Sequence, residues 1–323
     1  MRSQTIDLFD GWNPDFDSDK IQIKTYSTSS VLQLARQSID VHENTLELLN
    51  HDFMLGNHKE GISYFGKRTD WIWERKDILN YDGIFYSIDY PNEKYKGLKD
   101  KKMVIIFSLF APDSNNAGAR TFPNYFNDIR AHIPSNSIVV RIMDFNLSHG
   151  SFYLNTINYP DFEERIQGCI EYLLEENSVK QENIVLLGSY KGGTGALIHG
   201  ILGNYKSLSI DPIVNENYYV EKKGDWHFTK GSRELDFVPK IIDDSKKYNN
   251  SELRKTLIIS NSKVPETFSE ISRLSNVSNI QIYDTENSLA YETHALVGPT
   301  SKFEMITLLN VLLNAKLEGF LKI

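Results

Sequence analysis

One segment constrains the fold of this chain more than any other: a strand-turn-helix pattern over Asn183 to Leu197, which reads Asn-Ile-Val-Leu-Leu-Gly-Ser-Tyr-Lys-Gly-Gly-Thr-Gly-Ala-Leu. An apolar run typical of a buried strand passes into a glycine-rich turn and then into a tightly packed helix. So sharp a turn strains the backbone of its central residue, and the residues two before and two after it must be small. Gly188 and Gly192 meet that requirement and place Tyr190 at the apex.

Two neighbouring residues also have to be considered as the centre of the turn. Centring on Lys191 places Ser189 and Gly193 at the flanks, which is sterically possible. Centring on Ser189 places Leu187 and Lys191 there, where bulk is poorly tolerated. We therefore rank Tyr190 first, Lys191 second and Ser189 third. The other interpretation is a turn that only packs or cradles a phosphate, but neither the P-loop spacing nor Gly-x-Gly-x-x-Gly is present.

A turn of this kind is the nucleophile elbow of α/β-hydrolases, which normally carry Ser, Cys or Asp at the apex. From about Met103 onward, apolar runs alternate with amphipathic segments, as in a parallel sheet covered by helices. The predicted fold class is therefore α/β, with an α/β-hydrolase-like, mostly parallel sheet flanked by helices. The predicted strands are Gly83–Asp89, Met103–Phe110, Ser137–Phe145, Asn183–Ser189, Ser207–Asp211, Thr256–Asn261 and Asn279–Asp284, with helices at Phe162–Leu173 and Lys302–Leu313.

The first 80 residues differ from the rest, being rich in aromatic and polar residues with one clear helical stretch, Val31 to Leu49. We predict a small N-terminal subdomain over residues 1–80 and the α/β-hydrolase-like domain over residues 81–323. An aromatic cluster in the subdomain can stack on a sugar or attach the subdomain to its neighbour. Its members are Tyr64, Phe65, Trp71 and Trp73.

Composition excludes several classes of protein. A net charge of −8 and a pI near 5.6 argue against a nucleic-acid binder, which needs a basic face. The single cysteine, Cys169, rules out a disulfide within the chain and favours a small core residue in a reducing compartment. No apolar run approaches a membrane span, so we expect a cytoplasmic protein with at most peripheral membrane contact. No motif predicts a cofactor, and the histidines lack the spacing of metal ligands.

The order of residues in hydrolases places a catalytic histidine after the last strand, where His294 follows Tyr291-Glu292-Thr293. His294 is the predicted general base. The orienting acid is left open between Asp211, which ends an earlier strand, and Glu266, which follows the next strand by a few residues.

Loops beyond the strand ends supply further candidate residues. The loop from Ala111 to Arg120 occupies the place of half an oxyanion hole, with the backbone N–H of Lys191 as the other half. Arg120 is a candidate clamp for a carboxylate or phosphate. His149 and Tyr153 lie in a loop longer than a simple connection requires, and both are candidate substrate-binding residues.

Two segments, Gly-Ser-Phe-Tyr-Leu-Asn-Thr at 150–156 and Leu-Leu-Gly-Ser-Tyr-Lys-Gly-Gly-Thr-Gly-Ala-Leu at 186–197, together resemble the XcbB/CpsF-like proteins of bacterial capsular polysaccharide biosynthesis. The resemblance covers residues 149–219 best. Family members usually read Gly-Ser-Ser-Lys-Gly-Gly, with serine where this chain has Tyr190. The resemblance implies a cytoplasmic protein of surface-polysaccharide assembly that acts on a sugar or glycan, with other capsule-assembly proteins as candidate partners.

Three hypotheses for the site follow. Tyr190 replaces serine as nucleophile or general acid, with a pKa lowered by Lys191, His294 and the helix N-terminus. Alternatively, the protein is a catalytically inactive scaffold or regulator of capsule assembly. The third hypothesis is a serine-type O-acyltransferase or esterase that uses Ser189.

Overall fold

The computed structural model describes residues 2–109, 111, 115–224, 228–248, 255–286 and 293–314. Its strands are β1 Ser3–Asp7, β2 Lys20–Lys24, β3 Phe53–Lys59, β4 Ile62–Lys67, β5 Leu79–Tyr81, β6 Ile84–Asp89, β7 Lys102–Phe107, β8 Ser137–Ile142, β9 Ile184–Ser189, β10 Lys206–Ile210, β11 Thr256–Ser260 and β12 Ile280–Asp284. Its α-helices are α1 Val31–Ala35, α2 Ile39–Asn50, α3 Glu93–Lys96, α4 Ala117–Thr121, α5 Phe162–Asn177, α6 Lys191–Leu202, α7 Asn217–Lys223, α8 Val238–Ser245, α9 Pro265–Ser272, α10 His294–Thr300 and α11 Lys302–Leu312.

Eight strands form one mostly parallel sheet in the order β12-β11-β10-β9-β7-β8-β6-β5. The six strands from β12 to β8 run parallel to their neighbours, while β6 and β5 add an antiparallel edge. The predicted α/β class with a mainly parallel sheet is confirmed. The carboxyl ends of β9, β10 and β11 lie side by side, so residues that follow these strands meet at one edge of the sheet.

Helices cover both faces of this sheet because its strands are apolar on both sides. Met103, Ile105 and Phe107 of β7 pack in a cluster that contains the buried face of α5. Val104 and Ile106 point the other way and pack in a second cluster that contains Met305, Leu309 and Leu312 of α11. Cys169 is a buried residue of the first cluster.

A separate four-stranded sheet, here called the small sheet, has the order β1-β2-β4-β3. Its core includes α1 and α2 but also two residues from elsewhere in the chain, Leu147 and Phe228. The division of the chain at residue 80 stays a prediction. The small sheet ends at Lys67, and β5, which begins at Leu79, already belongs to the large sheet.

The N-terminal region departs from the sequence prediction in two ways. The single helix expected over Val31 to Leu49 is two helices, because Ser38 interrupts the first and caps the second through its side chain, which accepts from the Val41 amide. Strands β1 to β5 were not predicted, since they are short and partly exposed and lack a continuous apolar run. Among the described helices, none combines the length and apolarity that crossing a membrane requires.

Candidate functional site

Tyr190 lies at the apex of the turn between β9 and α6 in a strained left-handed conformation, with φ 54° and ψ −117°. The two flanking glycines are in close backbone contact. A Cβ on Gly188 would lie 2.0 Å from the Gly192 carbonyl oxygen, and one on Gly192 would lie 2.2 Å from the Phe107 carbonyl oxygen. These contacts are those of an elbow centred on Tyr190.

An aspartate-histidine pair stands beside the apex. His294 Nδ1 lies 2.5 Å from Asp211 Oδ2. Asp211 directly follows β10, the strand next to the elbow, and His294 begins α10, which comes after β12 in the chain and meets Asp211 at the carboxyl edge of the sheet. The Asp211 side chain is fully buried, whereas that of His294 is 17% exposed. This is the geometry in which a carboxylate orients an imidazole.

Two hydroxyl groups hold the Asp211 carboxylate in place. Ser260 Oγ donates to Oδ1 at 2.6 Å, and Thr267 Oγ1 lies 3.2 Å from Oδ2. Sequence reasoning missed both residues. The strand register explains the position of Ser260. Ile210 of β10 pairs with Ile259 of β11, so the residues that follow them, Asp211 and Ser260, lie side by side. Glu266, the other acid considered, lies in the first turn of α9, where Thr267 rather than Glu266 reaches Asp211.

The Tyr190 hydroxyl is held by the backbone of α10. It donates to the Ala295 carbonyl oxygen at 2.7 Å and accepts from the Gly298 amide at 3.0 Å. Burial raises the pKa of Tyr190 to about 12, which is opposite to the lowering expected from the sequence. The phenol therefore stays protonated at neutral pH.

His294 does not bond to the tyrosine hydroxyl. The two rings meet edge to face with centroids 4.5 Å apart. Within the described residues, Nε2 of His294 is buried and has no hydrogen-bond partner. Nδ1 carries the ring proton and donates it to Asp211. Nε2 is then the unprotonated nitrogen, which can accept a proton.

Ser189 is the last residue of β9 and is fully buried. Its Oγ lies 2.5 Å from the hydroxyl of Tyr125, which also reaches Met305 Sδ at 3.4 Å. Burial raises the pKa of Tyr125 to about 12, so this partner is a neutral phenol and not a base. The contacts of Ser189 are those of a core hydroxyl group.

The Lys191 side chain is fully buried, although its residue begins α6 beside the apex. Its ammonium lies 3.3 Å from Asp144 Oδ2 and donates to the His149 carbonyl oxygen at 3.1 Å. Burial lowers the pKa of Lys191, and the Asp144 carboxylate partly offsets that effect. The side chain thus joins the elbow to the loop after β8.

Replacing Lys191 by methionine should destabilise the protein by about 3–5 kcal/mol, because the substitution leaves Asp144 as a buried carboxylate without its cation. Urea unfolding followed by circular dichroism measures this loss. The matched control is Lys302→Met, which breaks a surface ion pair with Asp128 and should change stability little. An equal, small effect of both substitutions would contradict a structural role for the Lys191–Asp144 pair.

The other three candidate residues form part of the scaffold around this loop. Arg120 is buried, and its guanidinium donates to the backbone carbonyl oxygens of Ser148 and Leu55. Burial lowers the pKa of Arg120 to about 9. Tyr153 is also buried and donates to the carbonyl oxygens of Ser108 and Ile142.

The His149 ring is buried against Phe228, with centroids 5.5 Å apart. The structure therefore brings His294, Asp211 and Tyr190 together and places Arg120, His149 and Tyr153 in the packing behind the elbow. Of the loop expected to complete an oxyanion hole, Pro112, Asp113 and Ser114 lie outside the described residues, as do Tyr291 and Glu292 ahead of His294.

Solved structures share this arrangement of strands and helices. A His-to-Ala variant of the capsule O-acetyltransferase of Neisseria meningitidis serogroup A, in complex with CoA, matches with a TM-score of 0.51 and 18% identity, over 73% of this chain and 94% of that chain. The apoenzyme of S-formylglutathione hydrolase from Staphylococcus aureus matches with a TM-score of 0.50 and 15% identity, over 73% and 98%. The fold is α/β-hydrolase-like, with a mainly parallel sheet flanked by helices. At these identities the likeness concerns the fold alone.

No protein-family model and no curated protein sequence matches the chain.

Proposed function

We propose that this protein transfers an acyl group from a thioester to a hydroxyl group of a bacterial surface polysaccharide, without forming an acyl-enzyme. The observation that carries the proposal is a base without a nucleophile. Among the described residues, the buried Nε2 of His294 has no hydrogen-bond partner, and it lies beside an elbow whose apex residue is a protonated phenol. When the enzyme has no nucleophile of its own, the substrate hydroxyl has to attack directly.

The first step is removal of a proton from the sugar. Asp211 holds His294 through Nδ1, so Nε2 accepts the proton of the acceptor hydroxyl. The hydroxyl oxygen then bonds to the thioester carbonyl carbon, and the carbonyl electrons move to its oxygen. Collapse of this intermediate breaks the carbon–sulfur bond, and the departing thiolate takes the proton from His294. The products are an acylated glycan and a free thiol.

The negative charge that develops on the carbonyl oxygen needs donors. Lys191 begins α6, and its backbone N–H lies at the N-terminus of a twelve-residue helix directly after the apex. This amide is the proposed oxyanion donor. The Lys191 side chain is not, because its ammonium is turned toward Asp144 and His149.

Tyr190 has a positioning role in this proposal. Its hydroxyl bonds to Ala295 and Gly298 on the helix that His294 begins, and its ring lies against the imidazole. These contacts fix the first turn of α10 and with it the direction of the histidine. The bulk of the phenol also fills the place that a serine nucleophile would leave open.

Two further observations support a capsule-related acyl transfer. Residues 149–219 resemble the XcbB/CpsF-like proteins of capsule biosynthesis, and a matching fold belongs to a capsule O-acetyltransferase that was solved with CoA. The test is incubation with acetyl-CoA and purified bacterial capsular polysaccharides, followed by detection of free thiol and of the O-acetyl ester. Absence of both products with every polysaccharide would contradict the proposal.

Replacing Tyr190 by phenylalanine should lower kcat by no more than about tenfold, because the ring contact with His294 remains while the hydroxyl bonds that hold the first turn of α10 are lost. The protein should lose about 1 kcal/mol of stability as the bonds to Ala295 and Gly298 disappear. Rate measurement and urea unfolding on the same preparation check both effects. A loss of activity of a thousandfold or more with stability unchanged would instead identify Tyr190 as the nucleophile.

A non-catalytic scaffold is the second candidate function, and one observation favours it: the apex hydroxyl is engaged with backbone groups. Under this alternative, Tyr190→Phe and His294→Ala would both leave capsule production unchanged in cells. The acyltransferase proposal expects His294→Ala to abolish O-acetylation.

A further inference from the structure

A groove with a volume of about 840 Å³ lies over the small sheet. It is distinct from the elbow, since its lining comes from Asp19, from β2, β3 and β4, and from residues 70–72. The proposed acyl transfer assigns nothing to it. Its lining combines one tryptophan ring with several polar side chains.

Three aromatic residues line the groove: Trp71, Tyr64 and the buried Phe65. A Cβ on Gly56 would lie 3.1 Å from Cη2 of the indole, and one on Gly66 would lie 3.8 Å from Cζ3. The ring therefore rests on two glycines of adjacent strands, where the backbone offers a flat support. Gly56 also lies at a bulge between β3 and β4, which interrupts the register between Leu55 and Asn57. Bulges and glycines inside strands mark places where a group approaches the backbone closely.

Two other aromatic rings also hold the indole in place. It meets Phe145 edge to face at 5.1 Å between centroids and Trp73 at a tilt at 5.8 Å. Trp71 is nevertheless only half-buried, and its neighbour Ile72 is 89% exposed. A half-exposed ring whose orientation is already set loses little conformational freedom when a ligand stacks on it.

Polar side chains surround the ring. Asn57, Asp19 and Asp70 supply amide and carboxylate groups that can bond to hydroxyls. The lysines of the groove outnumber its aspartates by one in a chain whose net charge is −8. These lysines are Lys20, Lys59 and Lys67.

We infer that this groove binds a glycan chain, with a sugar ring stacked on Trp71 and its hydroxyls bonded to the surrounding polar side chains. A sugar has an apolar face of CH groups and an edge of hydroxyls, which is the combination that this lining matches. Lys59 lies 3.3 Å from the Glu60 carboxylate, which offsets the excess of one lysine, so the lysines serve as hydrogen-bond donors to sugar hydroxyls. The identity of this glycan as the acceptor polymer rests on the proposed function, whereas sugar binding by the groove does not.

The test uses an array of purified bacterial capsular polysaccharides, followed by calorimetry with an oligosaccharide of the strongest binder. Trp71→Ala should weaken binding at least tenfold. The matched control is Phe303→Ala, which removes an aromatic ring that is 79% exposed on α11 and should leave the affinity unchanged. Lys59→Ala changes an exposed side chain, so it tests the groove even if Trp71→Ala unfolds the protein, and the loss of one hydrogen-bond donor should weaken glycan binding about threefold.

Three outcomes would overturn the inference. These are no binding to any polysaccharide on the array, binding that Trp71→Ala and Lys59→Ala leave unchanged, or self-association in sedimentation that Trp71→Ala abolishes. His294→Ala separates this test from that of the proposed function. If acyl transfer fails but the groove is correct, wild type and His294→Ala should bind the same glycan with equal affinity.

Discussion

Replacing His294 by alanine is expected to lower kcat for acyl transfer by a factor of about 10²–10⁴, which is the usual contribution of a general base. The other base described at this site, the Asp211 carboxylate, is fully buried and held by Ser260 and Thr267, so it is not placed to take over from His294. The Tyr190 and Tyr125 hydroxyls are neutral phenols with pKa values raised to about 12, and the Lys191 ammonium is turned toward Asp144. Steady-state release of thiol from acetyl-CoA in the presence of the glycan acceptor measures the effect.

The matched control for this substitution is His132→Ala. His132 is a partly exposed histidine that also contacts a carboxylate, Asp128, at 3.1 Å, but it lies away from the elbow. Its removal should leave kcat unchanged. Equal activity of His294→Ala and His132→Ala would contradict the role of His294, provided that circular dichroism shows both variants folded.

The largest expected effect on stability comes from Gly188→Ala, which should cost more than about 4 kcal/mol and prevent accumulation of folded protein in mild urea. The new Cβ would lie 2.0 Å from the Gly192 carbonyl oxygen and 2.8 Å from the Gly193 backbone nitrogen. These are backbone atoms, so no side-chain rotation relieves the clash. Relief requires β9 and α6 to separate, and that separation opens a core in which most side chains are fully buried.

Gly97→Ala is the control for this substitution. Gly97 ends α3 with φ −81°, and nothing lies within 4 Å of a Cβ built on it. Its replacement should change stability by no more than about 0.5 kcal/mol in urea unfolding. Equal stability of Gly188→Ala and Gly97→Ala would contradict the close contact of β9 with α6 and the placement of Tyr190 at the apex of the turn.

The elbow and the large sheet could be predicted from the sequence because both depend on local sterics and on apolar periodicity. Only a register with glycine at 188 and 192 relieves the backbone contacts, and the structure has that register. The seven predicted strands are all present, each within a few residues of its expected ends. The helix over Lys302 to Leu313 likewise matches α11 within one residue.

The environment of the polar loop residues could not be predicted in the same way. Sequence spacing places Arg120, His149 and Tyr153 beyond strand ends but does not say whether their side chains turn outward or inward. His149 and Tyr153 turn inward because the loop after β8 folds under the elbow through several left-handed residues, which are Leu147, Ser148, Gly150, Phe152 and Tyr153. Arg120, on α4, turns inward to bond the Ser148 carbonyl oxygen of that loop. A loop path of this kind leaves no periodic pattern of apolar residues in the sequence from which it could be predicted. The pKa of Tyr190 escaped prediction for a related reason, since burial raises it, the Asp211 carboxylate adds to the rise, and the Lys191 ammonium is turned toward Asp144.

The mass of the intact protein after mixing with acetyl-CoA alone tests the central claim most directly. Direct transfer predicts that the protein stays unmodified without a glycan acceptor, and that acetyl ester forms on the glycan once the acceptor is added. A protein heavier by one acetyl group, with the modification mapped to Tyr190, would contradict direct attack and show that the phenol is the nucleophile after all.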